Sequence, residues 1–396
     1  MATLHFSLFT FHSSLKLPLL VRIILAILIG VLLGQFAPHW TIRIMNTFCS
    51  LFDQLLKFLI PLIILGLVAP AIADVGRGAG RMLLLTALLA YGFTVLAGLC
   101  SYGLSASLFP TLLAGADLDA LQHEALAFAP YFTISIPPLM EVMTSLILAF
   151  MLGLGMAAFQ AKALLMGFHE FRHIVVRTIE AAIIPLLPFY IFGLFLDMTA
   201  TGQAAAVLTR FLLVVVAIFL MTALWLLLQY ALAGILTKRN PLRLLARMMP
   251  AYFTALGTSS SAATIPVTLR QTLANGVNPE VAGFTIPLCA TIHLSGSTLK
   301  ITACATALLM MIGQPCPAPQ MIGFILMLGI VMVAAPGVPG GAIMAALGVL
   351  ESILGFEAKE QAMMITLYIA MDSFGTACNV TGDGAIALLI DRWRKR

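Results

Sequence analysis

Apolar runs long enough to cross a bilayer follow one another through this chain, near residues 18–37, 46–72, 82–112, 128–160, 178–200 and 205–236. A helical span needs about 20 predominantly apolar residues, and few charges interrupt these runs. With 61% hydrophobic and only 9% charged residues, no water-facing surface can be assembled, so the chain is integral to a membrane. This sets an all-α membrane protein with room for eight transmembrane helices and some shorter hydrophobic pieces, and with almost nothing left for a soluble domain. The net charge of +5 sits in a few loops, where it reports orientation rather than an affinity for nucleic acid. Six cysteines are scattered through apolar surroundings without the paired spacing of a disulfide framework or metal site. Lys16 and Arg22 precede an apolar run that ends near Gly34. No small-residue cleavage site follows, so this reads as the first membrane helix rather than a signal peptide.

The pattern changes after about residue 240. One apolar segment is interrupted by Gly257-Thr258-Ser259-Ser260-Ser261, another by Ser295-Gly296-Ser297, and a third by Pro336-Gly337-Val338-Pro339-Gly340-Gly341; a last one lies near 361–391. Irregular backbone at membrane depth must be buried in protein or line a cavity, because lipid offers its polar groups no partners. Two helical hairpins are therefore expected, about 242–275 with a Ser-rich tip and about 318–354 with a Gly/Pro-rich tip. Lys and Arg cluster at Lys16/Arg22, Arg77/Arg81, Lys162/Arg172/Arg177, Lys238/Arg239/Arg243/Arg247 and Arg392/Arg394/Lys395/Arg396, alternating with loops that hold Asp117, Asp119 and Glu124, or Glu357 and Glu360. By the positive-inside rule both termini are cytoplasmic and the two re-entrant hairpins enter from opposite sides. Oppositely oriented, interrupted segments amount to an inverted repeat, the layout of a secondary transporter.

Ionisable residues at membrane depth mark ion or substrate paths. Asp372, Thr376, Asn379 and Asp383 are spaced four, seven and eleven residues along one stretch, which a helix places on one face. No His/Cys/Asp constellation has the spacing of a nucleophile with its base or of a metal cluster, so an enzyme is not expected. A passive channel or a substrate sensor that does not transport remains open on the same polar groups.

Several segments resemble, in order, those of the dicarboxylate/amino acid:cation symporter family, the glutamate-transporter fold. They are Ser259-Ser260-Ser261 followed by Thr264-Ile265-Pro266-Val267-Thr268, then Ile286-Pro287-Leu288-Cys289-Ala290-Thr291-Ile292 leading to Gly296, Gly337-Val338-Pro339-Gly340, and Asn379-Val380-Thr381-Gly382-Asp383. The resemblance implies a homotrimer in the cell membrane, with a scaffold over 1–75 and 128–200 and a transport domain over 76–127 and 201–396 that moves as an elevator. It assigns substrate contacts to Ser259, Ser260, Ser261, Ser297, Val338, Pro339, Gly340, Asp372, Gly375, Thr376 and Asn379, with Asp372 meeting a substrate ammonium. It places a coupling cation, Na+ or alternatively H+, at Cys289, Thr291, His293, Asn379 and Asp383. The compact chain without long extracellular loops suits a prokaryotic inner membrane.

Two departures from the family pattern sharpen these expectations. Dicarboxylate carriers place an arginine three residues after the aspartate or in the Ser-rich hairpin; here those positions hold Gly375 and Ser259. An acidic side chain would then be desolvated without its bidentate partner, and Gly375 leaves volume, so a neutral amino acid is expected. The alternative is an acidic substrate paired by Lys300 or His293. The family's Asn-Met-Asp-Gly-Thr motif is replaced by His293-Leu294-Ser295-Gly296-Ser297, which removes an aspartate from a sodium site. Lys300 or His293 could supply a positive charge in place of that sodium.

Overall fold

The computed structural model describes residues 19–77, 81–113, 128–202, 204–335 and 340–394. The expected site residues Val338 and Pro339 lie outside these, as do Lys16, Asp117, Asp119, Glu124, Lys395 and Arg396. The described residues form helices, with no strand among them. Their order is α1 (Leu19–Gly34), α2 (His39–Arg77), α3 (Arg81–Leu112), α4 (Val142–Ala158), α5 (Lys162–Thr178), α6 (Ile184–Ala200), α7 (Ala204–Thr237), α8 (Pro241–Thr258), α9 (Ser261–Ala274), α10 (Pro279–Ile292), α11 (Ser295–Met311), α12 (Ala318–Ala334), α13 (Gly341–Leu354), α14 (Ala358–Ala370) and α15 (Asp372–Arg394).

Five helical runs among the described residues are long and apolar enough to cross a membrane: His39–Asp74, Met82–Leu112, Lys162–Ala200, Val207–Thr237 and Pro279–Met311. The outer helices turn large apolar side chains outward, including Leu32, Leu88, Ile147, Leu220 and Ile235, all exposed. A surface of that kind is matched by lipid, not water.

Two spans differ from their expected form. The run expected over 178–200 begins at Lys162, because a π-helical turn at Ile179–Ile183 joins the amphipathic α5 to the apolar α6. The expected 128–160 helix is helical only from Val142. Residues 128–141 run without helix along α2, whose polar side chains take up their backbone groups: Asn46 Nδ2 donates to Phe128 O (2.8 Å), Arg43 Nε to Ala129 O (3.0 Å), and Tyr131 N–H to Thr47 Oγ1 (2.9 Å). Their hydrogen bonds replace those a helix would have made internally.

Helix α1 packs on α6, and α2 along α4. The first contact depends on Gly30 and Gly34, one turn apart. A Cβ on Gly34 would stand 2.6 Å from Thr199 Cβ and 2.8 Å from Leu196 O, and one on Gly30 2.9 Å from Phe192 O. Small residues spaced this way let membrane helices approach backbone to backbone. Gly34→Leu should therefore push α1 off α6 and cost about 1–3 kcal/mol, the usual range for overpacking, read as a lower thermal midpoint of the detergent-purified protein.

Elsewhere α3 packs along α11, where Ser101 Oγ donates to Leu299 O at 2.7 Å. Helix α15 runs through the middle of α7, α8, α9, α10 and α11, and from Gly375 to Asp391 it is buried. The pairs α8–α9 and α12–α13 are helical hairpins, the first running from Pro241 to Ala274 and the second from Ala318 to Leu354.

Candidate substrate and cation site

Both hairpin tips meet the start of α15. In the first hairpin α8 ends with Ser259 in the left-handed region (φ 51°), and Ser260 turns extended to cap α9, its Oγ accepting Ala263 N–H at 3.3 Å. Ser259 Oγ lies 2.6 Å from Ser373 Oγ. In the second hairpin Gly340, also with positive φ (74°), precedes α13 and donates its N–H to Asp372 Oδ2 at 2.9 Å. Adjacent residues of α15 thus hold opposite tips. The N-termini of α9 and α13 begin at these tips, and their free N–H groups and positive dipole ends favour a negatively charged group.

The break between α10 and α11 lies beside this point. His293 is extended, its N–H bonded to Cys289 O at 2.9 Å, and α11 restarts at Ser295. Two free N–H groups of the new helix find a side chain on α15: Asn379 Oδ1 accepts from Gly296 N–H (2.8 Å) and Ser297 N–H (3.4 Å). Ser297 Oγ in turn accepts from Asn379 Nδ2 (3.2 Å) and from Tyr368 OH (3.0 Å). Gly296 permits the approach, since a Cβ there would lie 2.7 Å from Cys378 Cβ and 2.8 Å from Gly375 O.

The two unusual side chains of this region, His293 and Lys300, separate. His293 Nδ1 lies 2.8 Å from Asp383 Oδ1, both fully buried. Gln229 and Gly382 flank the imidazole, and a Cβ on Gly382 would meet His293 Cε1 at 2.7 Å and Gln229 Oε1 at 2.8 Å. Gln229 Oε1, Thr381 Oγ1 and His293 Nε2 are buried with no hydrogen-bond partner among the described residues. Lys300 turns instead toward Asp372. Its Nζ donates to Met371 O at 3.0 Å, lies 4.0 Å from Asp372 Oδ1, and sits 4.0 Å from the centre of the Tyr368 ring.

Most expected site residues therefore converge: Ser259, Ser260, Ser261 and Gly340 at the tips, Asp372, Gly375 and Asn379 on α15, Ser297 at the break, and His293 with Asp383 below it. Three expectations change. The volume expected at Gly375 is filled, because a Cβ there would overlap the Nζ and Cε of Lys300. Thr291 points away from the cluster; its side chain is exposed and its hydroxyl donates to Leu288 O at 2.7 Å. The Thr376 hydroxyl donates to its own helix, at Asp372 O (3.1 Å). Cys289 is buried next to the break, with its carbonyl already accepting His293 N–H. Ser373, Tyr368 and Gln229 were missed. Gln229 carried a readable signal, as a lone amide in a strongly apolar run; Ser373 and Tyr368 become visible only once the tips are placed.

No group of three or more His, Cys, Asp or Glu side chains gathers among the described residues. A cation in this region would rest on the Asp383 carboxylate together with amide, hydroxyl and carbonyl oxygens, the donor set a hard monovalent ion takes in transporters. Buried polar groups on a twice-broken helical framework, with paired hairpins closing on them, define a multi-pass membrane transport protein.

The family model of the sodium:dicarboxylate symporter family matches residues 19–393, and the chain belongs to that family. It is 29% identical to the serine/threonine transporter SstT of Acinetobacter baumannii (strain AYE), over 95% of this chain and 97% of the relative. Human excitatory amino acid transporter 2 is 30% identical over 38% of this chain and 26% of its own length.

Proposed function

We propose that the protein is a sodium-coupled symporter for a small neutral amino acid, and the observation that carries this is the convergence of both hairpin tips on Asp372 and Ser373. A zwitterion fits such a place: its ammonium meets Asp372, and its carboxylate meets the Ser-rich tip at the start of α9. No guanidinium stands at Gly375 or Ser259 to receive an acidic side chain. Lys300, the alternative partner for one, already donates to Met371 O and faces Asp372. The serine/threonine relative, aligned along almost the whole chain, favours the same substrate class.

Sodium binds beside Asp383, Gln229 and Thr381. The helices α1, α2, α4, α5 and α6 form a trimeric scaffold, and the remainder moves against it as an elevator, with eight crossings, two re-entrant hairpins and both termini cytoplasmic. The packing of α1 on α6 and α2 on α4, apart from the bundle around α15, supports this division.

Uptake into proteoliposomes of the purified protein tests the proposal. Serine or alanine should accumulate against its gradient under an inward sodium gradient, and aspartate should not. Accumulation of aspartate would overturn the neutral-substrate assignment, and passive equilibration of every solute would overturn coupling.

A further inference from the structure

Lys300 is the one buried lysine or arginine among the described residues, and its surroundings give it a task. A buried ammonium needs a counter-charge and hydrogen-bond acceptors. Lys300 finds Asp372 Oδ1 at 4.0 Å, the Met371 carbonyl at 3.0 Å and the face of Tyr368 at 4.0 Å. Its Nζ lies where any side chain at position 375 would begin, so Gly375 and Lys300 work as one device: the missing side chain on α15 provides the berth for a cation reaching over from α11. The ammonium faces Oδ1 of Asp372, while Oδ2 of the same carboxylate holds the Gly340 N–H of the second hairpin.

We propose that Lys300 is a tethered cation, a positioning residue that keeps Asp372 paired in the substrate-free carrier and so takes the place of an ion that the empty carrier would otherwise carry on its return. The inference rests on the amino acid symport described above. An empty carrier that returns across the membrane with a bare buried carboxylate would carry an uncompensated charge through a low-dielectric region. A bound ion would solve this at the expense of being carried back across the membrane in every cycle, which changes the net charge moved. Lys300 solves it with a charge that travels with the protein in both directions and so adds nothing to the net charge moved. On binding, the substrate's ammonium joins Lys300 at Asp372, and the substrate's carboxylate balances the added positive charge.

The test uses the reconstituted full-length protein and compares wild type, Lys300→Met and Lys300→Arg. Net serine uptake, which needs the empty carrier to return, is measured beside exchange of internal for external serine, which does not. Lys300→Met should lower net uptake by about tenfold or more relative to exchange, because the empty carrier returns with Asp372 unpaired, while Lys300→Arg should keep the wild-type ratio of the two. A Lys300→Met protein that accumulates and exchanges serine in the wild-type ratio would overturn the proposal.

Thermal unfolding in detergent gives an independent reading if Lys300→Met does not transport. The double variant Lys300→Met/Asp372→Asn should be more stable than either single variant, because it leaves no unpaired charge. Strictly additive losses would overturn the pairing. Wild-type protein that fails to accumulate serine counts against the symport proposal instead, and the unfolding comparison still decides the role of Lys300.

Discussion

Asp372→Asn should lower serine uptake by about a hundredfold or more, with a matching loss of serine binding to purified protein. Breaking one partner of a buried charge pair costs about 3–5 kcal/mol, and each 1.4 kcal/mol is roughly tenfold in affinity. The residue also serves three partners at once: the incoming ammonium, Lys300 at 4.0 Å and the Gly340 N–H at 2.9 Å. An asparagine oxygen can still accept from Gly340, so the second hairpin keeps its anchor. What disappears is the charge. The neighbouring Ser373→Ala supplies the contrast, because it removes a single hydroxyl contact to Ser259. Its cost should be about 1 kcal/mol, a several-fold effect. Equal losses from the two substitutions would mean that the start of α15 acts only as a mechanical anchor for the tips.

Much of this site is legible in the chain because it lies on one helix. Asp372, Asn379 and Asp383 are linked by helical periodicity, and their burial at membrane depth follows from the apolar residues around them. The hairpin tips are legible for a similar reason, since Ser259 to Ser261 and the glycines near 340 cannot continue an apolar span. Lys300 is another matter. Its own segment says only that a lysine lies four residues after Gly296; that it fills the space of Gly375 depends on the distance between α11 and α15, which Gly296 itself sets by lacking a Cβ. A glycine reads as room in a sequence, yet the room is occupied by a side chain from another helix. Thr291 fails for a local reason: helix α10 turns it outward just before the chain breaks, so neighbouring positions in one motif face opposite ways. The non-helical path of residues 128–141 was equally hidden, because apolar composition does not distinguish a helix from a strap whose backbone is held by Asn46, Arg43 and Thr47.

Asp383→Asn should abolish sodium-driven accumulation of serine, with sodium no longer raising serine affinity. The substitution preserves size, and the amide oxygen can still lie against His293 Nδ1, 2.8 Å from Oδ1 in the parent; the charge alone is removed. His293→Gln separates the two claims on that charge. If sodium is the principal partner of Asp383, the glutamine variant frees a carboxylate oxygen and keeps sodium dependence, at a cost in stability from the lost buried pair. If His293 is the principal partner, the glutamine variant should lose sodium dependence and the asparagine variant should retain it. The Gln229 oxygen, buried without a partner beside the pair, favours the first outcome: an unsatisfied acceptor of this kind costs about 1–3 kcal/mol, and a bound cation would satisfy it together with the carboxylate. Gly382→Ala probes the same space sterically, because its Cβ would press on both His293 Cε1 and Gln229 Oε1. It should weaken sodium activation of serine binding while leaving Asp372 and the hairpin tips untouched, so that serine affinity at saturating sodium falls far less than in Asp372→Asn.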